Sequence, residues 1–134
     1  MNLQEKAYIA GIIDGEGTVT LSRAHVNEMP APKVSVANNS LQLLSWIKNK
    51  VGSGVVIQRS RRAPQHGIAY VLDISDNAAL SLLSEVKEYL IIKKRHAELI
   101  TSRYKAVTPR NGKYTSELLV GKMKLVSEIR KLNR

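Results

Sequence analysis

The sequence predicts an α+β domain of 134 residues built around a four-stranded antiparallel sheet. Three observations lead to this prediction: an apolar helix near the amino end, two pairs of segments in which polar and apolar residues alternate, and amphipathic helices between and after those pairs. The order helix, two strands, helix, two strands, helices places the apolar face of the sheet against helices. The other face, which is polar and basic, is left open.

The first helix begins with a capping box. Asn2 is followed three positions later by Glu5, the spacing at which each side chain bonds to the backbone N–H of the other residue. Residues 7–13 form an apolar run, so this helix has no face suited to water and is expected to be buried all round. The core of one small domain covers one side. A second copy of the chain is the simplest cover for the other side, and an internal helix beside the sheet is the alternative.

Small residues on this helix favour its pairing with a second helix. Ala7, Gly11 and Gly15 are spaced by four and form a ridge that lets two backbones approach closely. We therefore expect a homodimer. Its interface is predicted to contain Ala7, Ala10, Gly11 and Asp14.

The first strand pair and the second helix follow. Residues 18–22 and 33–36 each alternate polar with apolar side chains, and residues 28–32, which include two prolines, separate them. These segments predict a long hairpin. Asn39 and Ser40 then cap a helix with apolar residues on one face from Leu41 to Val51, which ends at Gly52.

A second strand pair and three helical segments complete the chain. Strands are predicted at residues 55–61 and 67–74. Asp76 opens a helix with inward apolar residues as far as Leu90, and the helical pattern continues over residues 91–105. After a loop at residues 108–112, a last amphipathic helix reaches residue 132. Residues 1–134 are thus predicted to form a single domain.

Composition excludes several classes of protein. With 43% hydrophobic residues the chain is too apolar to be disordered, and the apolar run at residues 7–13 is too short to span a membrane. The absence of cysteine excludes a disulfide framework, a thiolate zinc site and a cysteine nucleophile. The amino end lacks the layout of a secretion signal, so we expect an intracellular protein that is not secreted.

The charge balance favours a polyanionic partner. The chain has 21 Lys and Arg against 11 Asp and Glu, a net charge of +10. Residues 17–70 hold seven basic residues against one acidic, and residues 93–134 hold twelve against three. An acid-poor stretch after an acidic pair predicts a phosphate-binding surface with a small metal site at its edge. The alternative is a basic protein whose scattered charges are simply solvated.

The acidic pair lies where the first helix meets the first strand, in the segment Asp14-Gly15-Glu16-Gly17. Glu16 is brought to the end of the basic sheet, and a hard cation such as Mg²⁺ accepts one or two carboxylates together with phosphate oxygens. If two helices pair through the small-residue ridge, two Glu16 side chains meet at the dimer axis and face two phosphates. That geometry suits hydrolysis of both strands of a duplex. The alternative is an ordinary solvated turn from helix to strand.

Residues 9–17, Ile-Ala-Gly-Ile-Ile-Asp-Gly-Glu-Gly, resemble the LAGLIDADG motif of homing endonucleases, with Tyr8 before it and a strand after it as in that family. A single copy in a short chain resembles the homodimeric, intron-encoded branch. The resemblance implies an αββαββα fold with a saddle-shaped four-stranded sheet and extra helices at the carboxyl end. It also implies a site-specific endonuclease that cuts both strands of a long, pseudo-palindromic DNA target and depends on Mg²⁺, for which Mn²⁺ or Ca²⁺ would substitute in binding.

The resemblance also assigns roles to individual residues. It implies that Glu16 is the metal-binding catalytic acid, where many members have Asp, and that Gly15 contributes a backbone carbonyl to the metal. Asp14 is implied to be structural rather than a ligand. Lys93 resembles the lysine beside the scissile phosphate. The adjacent Lys94 and Arg95 leave the choice of residue open, and a plain solvated basic turn is the alternative. Asn38 falls where relatives often have a glutamine that orders water. The alternatives are Asn39 in that place, or a simple helix-capping role for both asparagines.

Residues that face outward from the two hairpins are the candidates for DNA contact, because side chains of a two-stranded ribbon in the major groove reach base edges. The candidates on the first hairpin are Thr20, Ser22, Arg23, Lys33 and Ser35, and those on the second are Arg59, Arg61, Arg62 and His66. For each of these residues a merely solvated side chain is the alternative.

Two other functions compete with the nuclease. One is a module of the same fold that binds DNA without cutting or assists intron RNA splicing as a maturase. The other is a basic structural protein that binds RNA. An acid at position 16 disfavours a purely binding protein, since a carboxylate beside phosphate weakens binding unless a metal is present.

Overall fold

The computed structural model describes residues 1–59 and 67–134. The elements, in chain order, are α1 (Leu3–Glu16), β1 (Gly17–Ser22), β2 (Ala31–Asn38), α2 (Leu41–Val51), β3 (Val55–Arg59), β4 (Ala69–Ser75), α3 (Asp76–Val86), α4 (Lys94–Arg103) and α5 (Ser116–Leu132). Single turns of 3-10 helix lie at Lys87–Tyr89 and Lys105–Val107. This order confirms the predicted α+β class and the αββαββα arrangement with additional helices at the carboxyl end. Arg61, Arg62 and His66 lie outside the described residues.

The four strands form one antiparallel sheet in the order β1-β2-β4-β3. Strands β2 and β4 are central, and their register pairs Ser35 with Asp73. Period-two alternation separates the two faces, as the sequence predicted. The buried face carries Val19, Leu21, Val34, Val36, Leu72 and Ile74.

The helices cover this buried face and form the core with it. Helices α1 and α3 both contact β2, and α5 contacts β1. Inward residues of all five helices join the sheet residues in one hydrophobic cluster, which includes Leu44 and Ile47 of α2, Leu83 of α3, Ile100 of α4 and Leu125 of α5. No helix or strand of the described residues covers the opposite face of the sheet.

Helix α1 begins as predicted, with reciprocal bonds between Asn2 and Glu5. Only one side of α1 is buried, however, by Ile9, Ala10 and Ile13. The expectation of burial all round is therefore not met within one chain. The prediction that Ala10 lies in a subunit interface is wrong, because its side chain is wholly enclosed in the core of its own chain.

The outer side of α1 is exposed and carries Ala7, Tyr8, Gly11 and Gly15. Among residues 1–59 and 67–134, a Cβ built at Gly11 or Gly15 meets no atom within 4 Å beyond the adjacent backbone of its own helix. The small-residue ridge is thus an open surface of this chain.

The helical pattern predicted through residues 91–105 is broken at its start. Helix α3 ends at Val86, one 3-10 turn follows, and α4 begins only at Lys94. The backbone N–H groups of Ile91 and Lys93 donate to the carboxylate of Asp14. These groups are therefore bonded to another part of the chain instead of to carbonyls of a continuous helix.

Helix α5 is fixed to the domain by polar contacts. Asn133, just after α5, joins the His96 ring (2.9 Å to Nε2) to the Val19 carbonyl, to which its amide donates at 3.1 Å. The wholly buried Lys122 donates to the Thr108 hydroxyl at 2.6 Å, and its ammonium lies 4.1 Å from the centre of the Tyr104 ring. Within residues 1–59 and 67–134, no helix has both the length and the apolar character that a membrane crossing requires.

Candidate active site and nucleic-acid interface

Glu16 is the last residue of α1 and its side chain is exposed. The Asn38 amide Nδ2, at the end of β2, donates to Glu16 Oε2 at 2.5 Å. The orientation of Asn38 is fixed in turn, because its Oδ1 accepts the Ser40 backbone N–H at 2.7 Å. Of the two asparagines that the sequence left open, Asn38 is the one that contacts the acid.

Gly17 lets the helix pass directly into the strand. Its backbone N–H donates to the Ile13 carbonyl, and a Cβ at this position would lie 2.8 Å from that carbonyl oxygen. Contacts this short do not occur for real side chains, so only glycine fits without a shift of the backbone. The location of Glu16 relative to the sheet is therefore set by a tight backbone turn.

Asp14 joins the end of α1 to the segment before α4. Its two carboxylate oxygens accept the backbone N–H groups of Ile91 (2.7 Å) and Lys93 (2.9 Å). These bonds engage Asp14 within its own chain, in the structural role that the resemblance implied. Lys93 is half-buried and lies next to the helix that carries Glu16, whereas Lys94 and Arg95 are exposed on α4. No ion pair joins Lys93 to Glu16 in the part of the chain that the structure describes.

The open face of the sheet forms a groove of about 520 Å³ that begins at Glu16. Five of the residues predicted to contact DNA lie on it together: Thr20, Ser22, Lys33, Ser35 and Arg59. Apolar side chains share the same surface, namely Ala37, Ile57 and Val71. The groove therefore offers hydrogen-bond donors, cations and apolar contacts side by side.

Asp73 also lines the groove and is not among the residues that the sequence predicted to contact DNA. It lies on β4, opposite Ser35, whose hydroxyl donates to it at 2.6 Å, and 3.6 Å from the Lys33 ammonium. The alternation of β4 could have revealed it, since Asp73 falls on the same face as Val71 and Ser75. The contact with Ser35 could not, because the two residues are 38 positions apart and only the register brings them together.

Residues 3–104 match the family of LAGLIDADG-like domains. The chain belongs to this family. A search of curated proteins finds no match to the sequence. Among solved structures, the chain is similar to the homing endonuclease I-CvuI in complex with its target, with 19% identity, a TM-score of 0.77 and coverage of 96% of this chain and 82% of that one.

Other homing endonucleases share the fold. The archaeal intron-encoded I-Vdi141I, complexed with DNA, has 21% identity and a TM-score of 0.74 over 96% of this chain and 84% of that one. I-TnaI has 20% identity and a TM-score of 0.62, and the match covers 100% and 96% of the two chains. The predicted resemblance to LAGLIDADG homing endonucleases is thus confirmed.

The match to the family ends at residue 104, and a basic cavity is lined largely by residues beyond it. Arg130, Lys131 and Arg134 at the end of α5 meet Arg23, which follows β1, around a space of about 250 Å³. Glu128 of the same helix is paired with Arg103 and does not neutralise this group. Sequence reasoning selected Arg23 alone, because its three partners are more than about 100 residues away along the chain.

The oxygen donors near Glu16 suit a hard cation. They are its carboxylate and, following the resemblance, the Gly15 carbonyl. Among residues 1–59 and 67–134, no three His, Asp or Glu side chains come together as a metal site.

Proposed function

We propose that this protein is a divalent-metal-dependent, site-specific DNA endonuclease that acts as a homodimer with its active site at the dimer axis. One observation carries the proposal. The exposed Glu16 carboxylate accepts a hydrogen bond from Asn38 at one end of a groove whose side chains are suited to contact DNA. An acid at the edge of a phosphate-binding surface suits metal-assisted hydrolysis of a phosphodiester.

The groove supports duplex DNA as the substrate. Its outward side chains from β1, β2 and β3 combine hydroxyls with the cations Lys33 and Arg59. Such a set provides both phosphate contacts, which position the duplex, and base contacts, which specify it. The complexes of I-CvuI with its target and of I-Vdi141I with DNA support the same substrate for this fold.

Pairing of two chains would complete the site. The exposed side of α1 holds the ridge Ala7, Gly11 and Gly15, where no other part of the described chain approaches the two glycines. The chain covers 82–96% of I-CvuI, I-Vdi141I and I-TnaI, but only 44% of I-AabMI. We infer that this chain is one half of the working unit and that its partner supplies the second Glu16.

The residues around the site divide the chemistry between them. Glu16 and the Gly15 carbonyl would hold a divalent cation such as Mg²⁺, which when bound activates water and stabilises charge on the phosphate and leaving oxygen. Asn38 keeps the Glu16 carboxylate oriented by donating a hydrogen bond to it. Lys93 would place a positive charge beside the reacting phosphate, held there because Asp14 binds its backbone.

The basic cavity formed by Arg23 and the end of α5 would add contacts to the DNA backbone. Arg23 connects the two regions, since it also lines a small pocket with Ser22 and Lys33 of the groove.

The salt dependence of DNA binding tests this role. Removing three of the cavity charges (Arg130→Gln, Lys131→Gln, Arg134→Gln) should reduce the magnitude of the slope of log affinity against log salt by about 0.9 for each phosphate that the protein no longer neutralises. Removing three other exposed charges, with Lys48→Gln, Arg110→Gln and Lys124→Gln, is the matched control. A similar change of slope in both variants would contradict a specific role of the cavity.

Cleavage of a randomised duplex library tests the nuclease. Purified protein with Mg²⁺ should cut one recovered sequence and should not cut in EDTA. Glu16→Gln should reduce the cutting rate by about a thousandfold or more, because it removes a charged metal ligand. Binding to the recovered site should persist in this variant. Glu85→Gln, an exposed acid on α3, removes the same charge far from the groove and should cut at the wild-type rate.

Two outcomes would contradict the proposal. If Glu16→Gln cuts as fast as wild type, this acid does not take part in the chemistry. If wild-type protein binds DNA without cutting at any metal concentration, the chain is a binding module of the same fold, and binding to structured intron RNA would then test the maturase alternative.

A further inference from the structure

Asp73 is an acid in the middle of a surface that otherwise suits an anionic ligand. It lies on β4, one of the two central strands, between Ser35 of β2 and Val55 of β3. Of the described residues that line the groove, only Glu16 and Asp73 are acidic, and Glu16 is at the groove's end. Because a carboxylate repels phosphate, a backbone contact does not account for Asp73.

The Asp73 carboxylate is held in place by neighbouring side chains and keeps further hydrogen-bond acceptor positions. Oδ1 accepts the Ser35 hydroxyl at 2.6 Å, and Oδ2 lies 3.6 Å from the Lys33 ammonium. Its side chain keeps 23% of its surface exposed to the groove. An ionised carboxylate has about four acceptor positions. The contacts with Ser35 and Lys33 therefore leave acceptor capacity for a donor that enters the groove.

Duplex DNA presents such donors in only a few places. In the major groove they are the exocyclic amino groups of cytosine and adenine, and a carboxylate pairs with the N4 amino group of cytosine. Guanine and thymine present acceptors there and would be repelled. The neighbouring Lys33 ammonium offsets the negative charge that Asp73 brings near the phosphates.

We propose that Asp73 is a specificity-determining residue that accepts a hydrogen bond from the N4 amino group of a cytosine in each half of the target. The proposal rests on the parts of the proposed function that pair two chains and place duplex DNA in the groove, and it does not require that the DNA is cut.

The apolar residues of the groove extend this inference to the neighbouring bases. Val71 precedes Asp73 by two positions on β4, and Ile57 and Ala37 pair with Val71 on the adjacent strands. Two residues of a strand span about 6.8 Å, which matches about two base-pair steps of roughly 3.4 Å each. Apolar side chains contact the thymine methyl group. A thymine is therefore expected about two base pairs from the cytosine that Asp73 contacts.

Selection of bound duplexes from a randomised library tests the proposal without cleavage. The selection uses the full chain in Ca²⁺ and compares wild type with Asp73→Asn. Wild type should prefer cytosine by about 5- to 150-fold at one pair of symmetry-related positions. Asp73→Asn should change the preference at those positions to adenine, whose N6 and N7 fit an amide, and leave the other positions unchanged.

Two further variants distinguish a base contact by Asp73 from a general effect of its negative charge and from the effect of the hydroxyl that orients it. Ser35→Ala keeps the carboxylate but removes the hydroxyl that holds it, so the preference for cytosine should weaken without changing to another base. Glu85→Gln removes one negative charge away from the groove and should leave every position as in wild type.

The proposal is overturned if Asp73→Asn keeps the wild-type preference at every position, or if it changes affinity equally for all sequences, as an ion-pair partner of Lys33 would. It is also overturned if wild type shows no cytosine preference at any position. Loss of cutting in Mg²⁺ with the selected preference intact would instead count against the nuclease alone.

Discussion

Substitution of Gly11 by leucine tests the pairing of the first helices. Gly11 is in the middle of α1 on its exposed side, and an added Cβ meets no atom from other described parts of the chain within 4 Å. Glycine in a helix interior costs about 0.8–1.0 kcal/mol relative to alanine, and leucine ranks close to alanine. Gly11→Leu should therefore raise the unfolding free energy of the unpaired chain by somewhat less than about 1 kcal/mol.

Association should change in the opposite direction. In a two-fold dimer the substitution occurs in both chains, so two leucines enter the same interface. Overpacking costs about 1–3 kcal/mol for each, or about 2–6 kcal/mol together, which weakens association roughly 30- to 20,000-fold. One substitution is thus expected to stabilise the monomer and to separate the dimer.

Sedimentation velocity and thermal unfolding over a concentration series measure both effects. Wild type should sediment as a dimer with a Tm that rises with concentration, whereas Gly11→Leu should sediment as a monomer with a constant Tm. Ser45→Leu, on the exposed side of α2, is the matched control and should behave as wild type. A Gly11→Leu protein that associates as strongly as wild type would refute the proposed role of the ridge.

Three further predictions concern stability. Gly17→Ala should lower the unfolding free energy by about 1–3 kcal/mol in urea denaturation, because its Cβ would lie 2.8 Å from the Ile13 carbonyl oxygen. A wild-type midpoint would contradict this close approach. Burial, assisted by the positive charge of Lys93, lowers the pKa of His96, so the unfolded chain takes up more protons and the unfolding free energy should fall as the pH drops below about 6.5. Urea titrations between about pH 5 and 7 should show a smaller pH dependence in His96→Gln, and equal dependence in both proteins would argue against the shift. Lys122→Ala should cost about 2–5 kcal/mol by leaving a cavity, whereas Lys122→Met should retain most of the stability. If the alanine variant unfolds like wild type, the buried lysine stem contributes nothing.

The sequence predicted those parts of the fold that depend on short-range patterns. The capping box at Asn2, the alternation of both strand pairs and the change of period at Gly17 each involve neighbouring residues. They were therefore sufficient to place Glu16 at the end of the sheet and to select Lys33 and Ser35 as groove residues.

The features that the sequence did not predict depend on contacts between distant parts of the chain. Asp14 interrupts the helical pattern near Ile91, which is 77 residues away along the chain. The sequence does not distinguish Asn38 from Asn39. Which of them faces Glu16 depends on where β2 ends and on the direction of its side chains there. The inward side of α1 was also ambiguous, because an apolar run has no polar residue to mark the outside, and Ala10 was consequently assigned to the wrong side.

Each chain brings a single exposed carboxylate to the end of α1, and this has a consequence for the rate law of the proposed nuclease. While most chains are unpaired, the number of complete active sites grows with the square of the protein concentration, so doubling the protein should speed cutting about fourfold. At higher concentration the dependence becomes linear. The protein concentration at which cutting begins is then set by the affinity between the exposed sides of the two α1 helices. The catalytic residues do not determine this concentration.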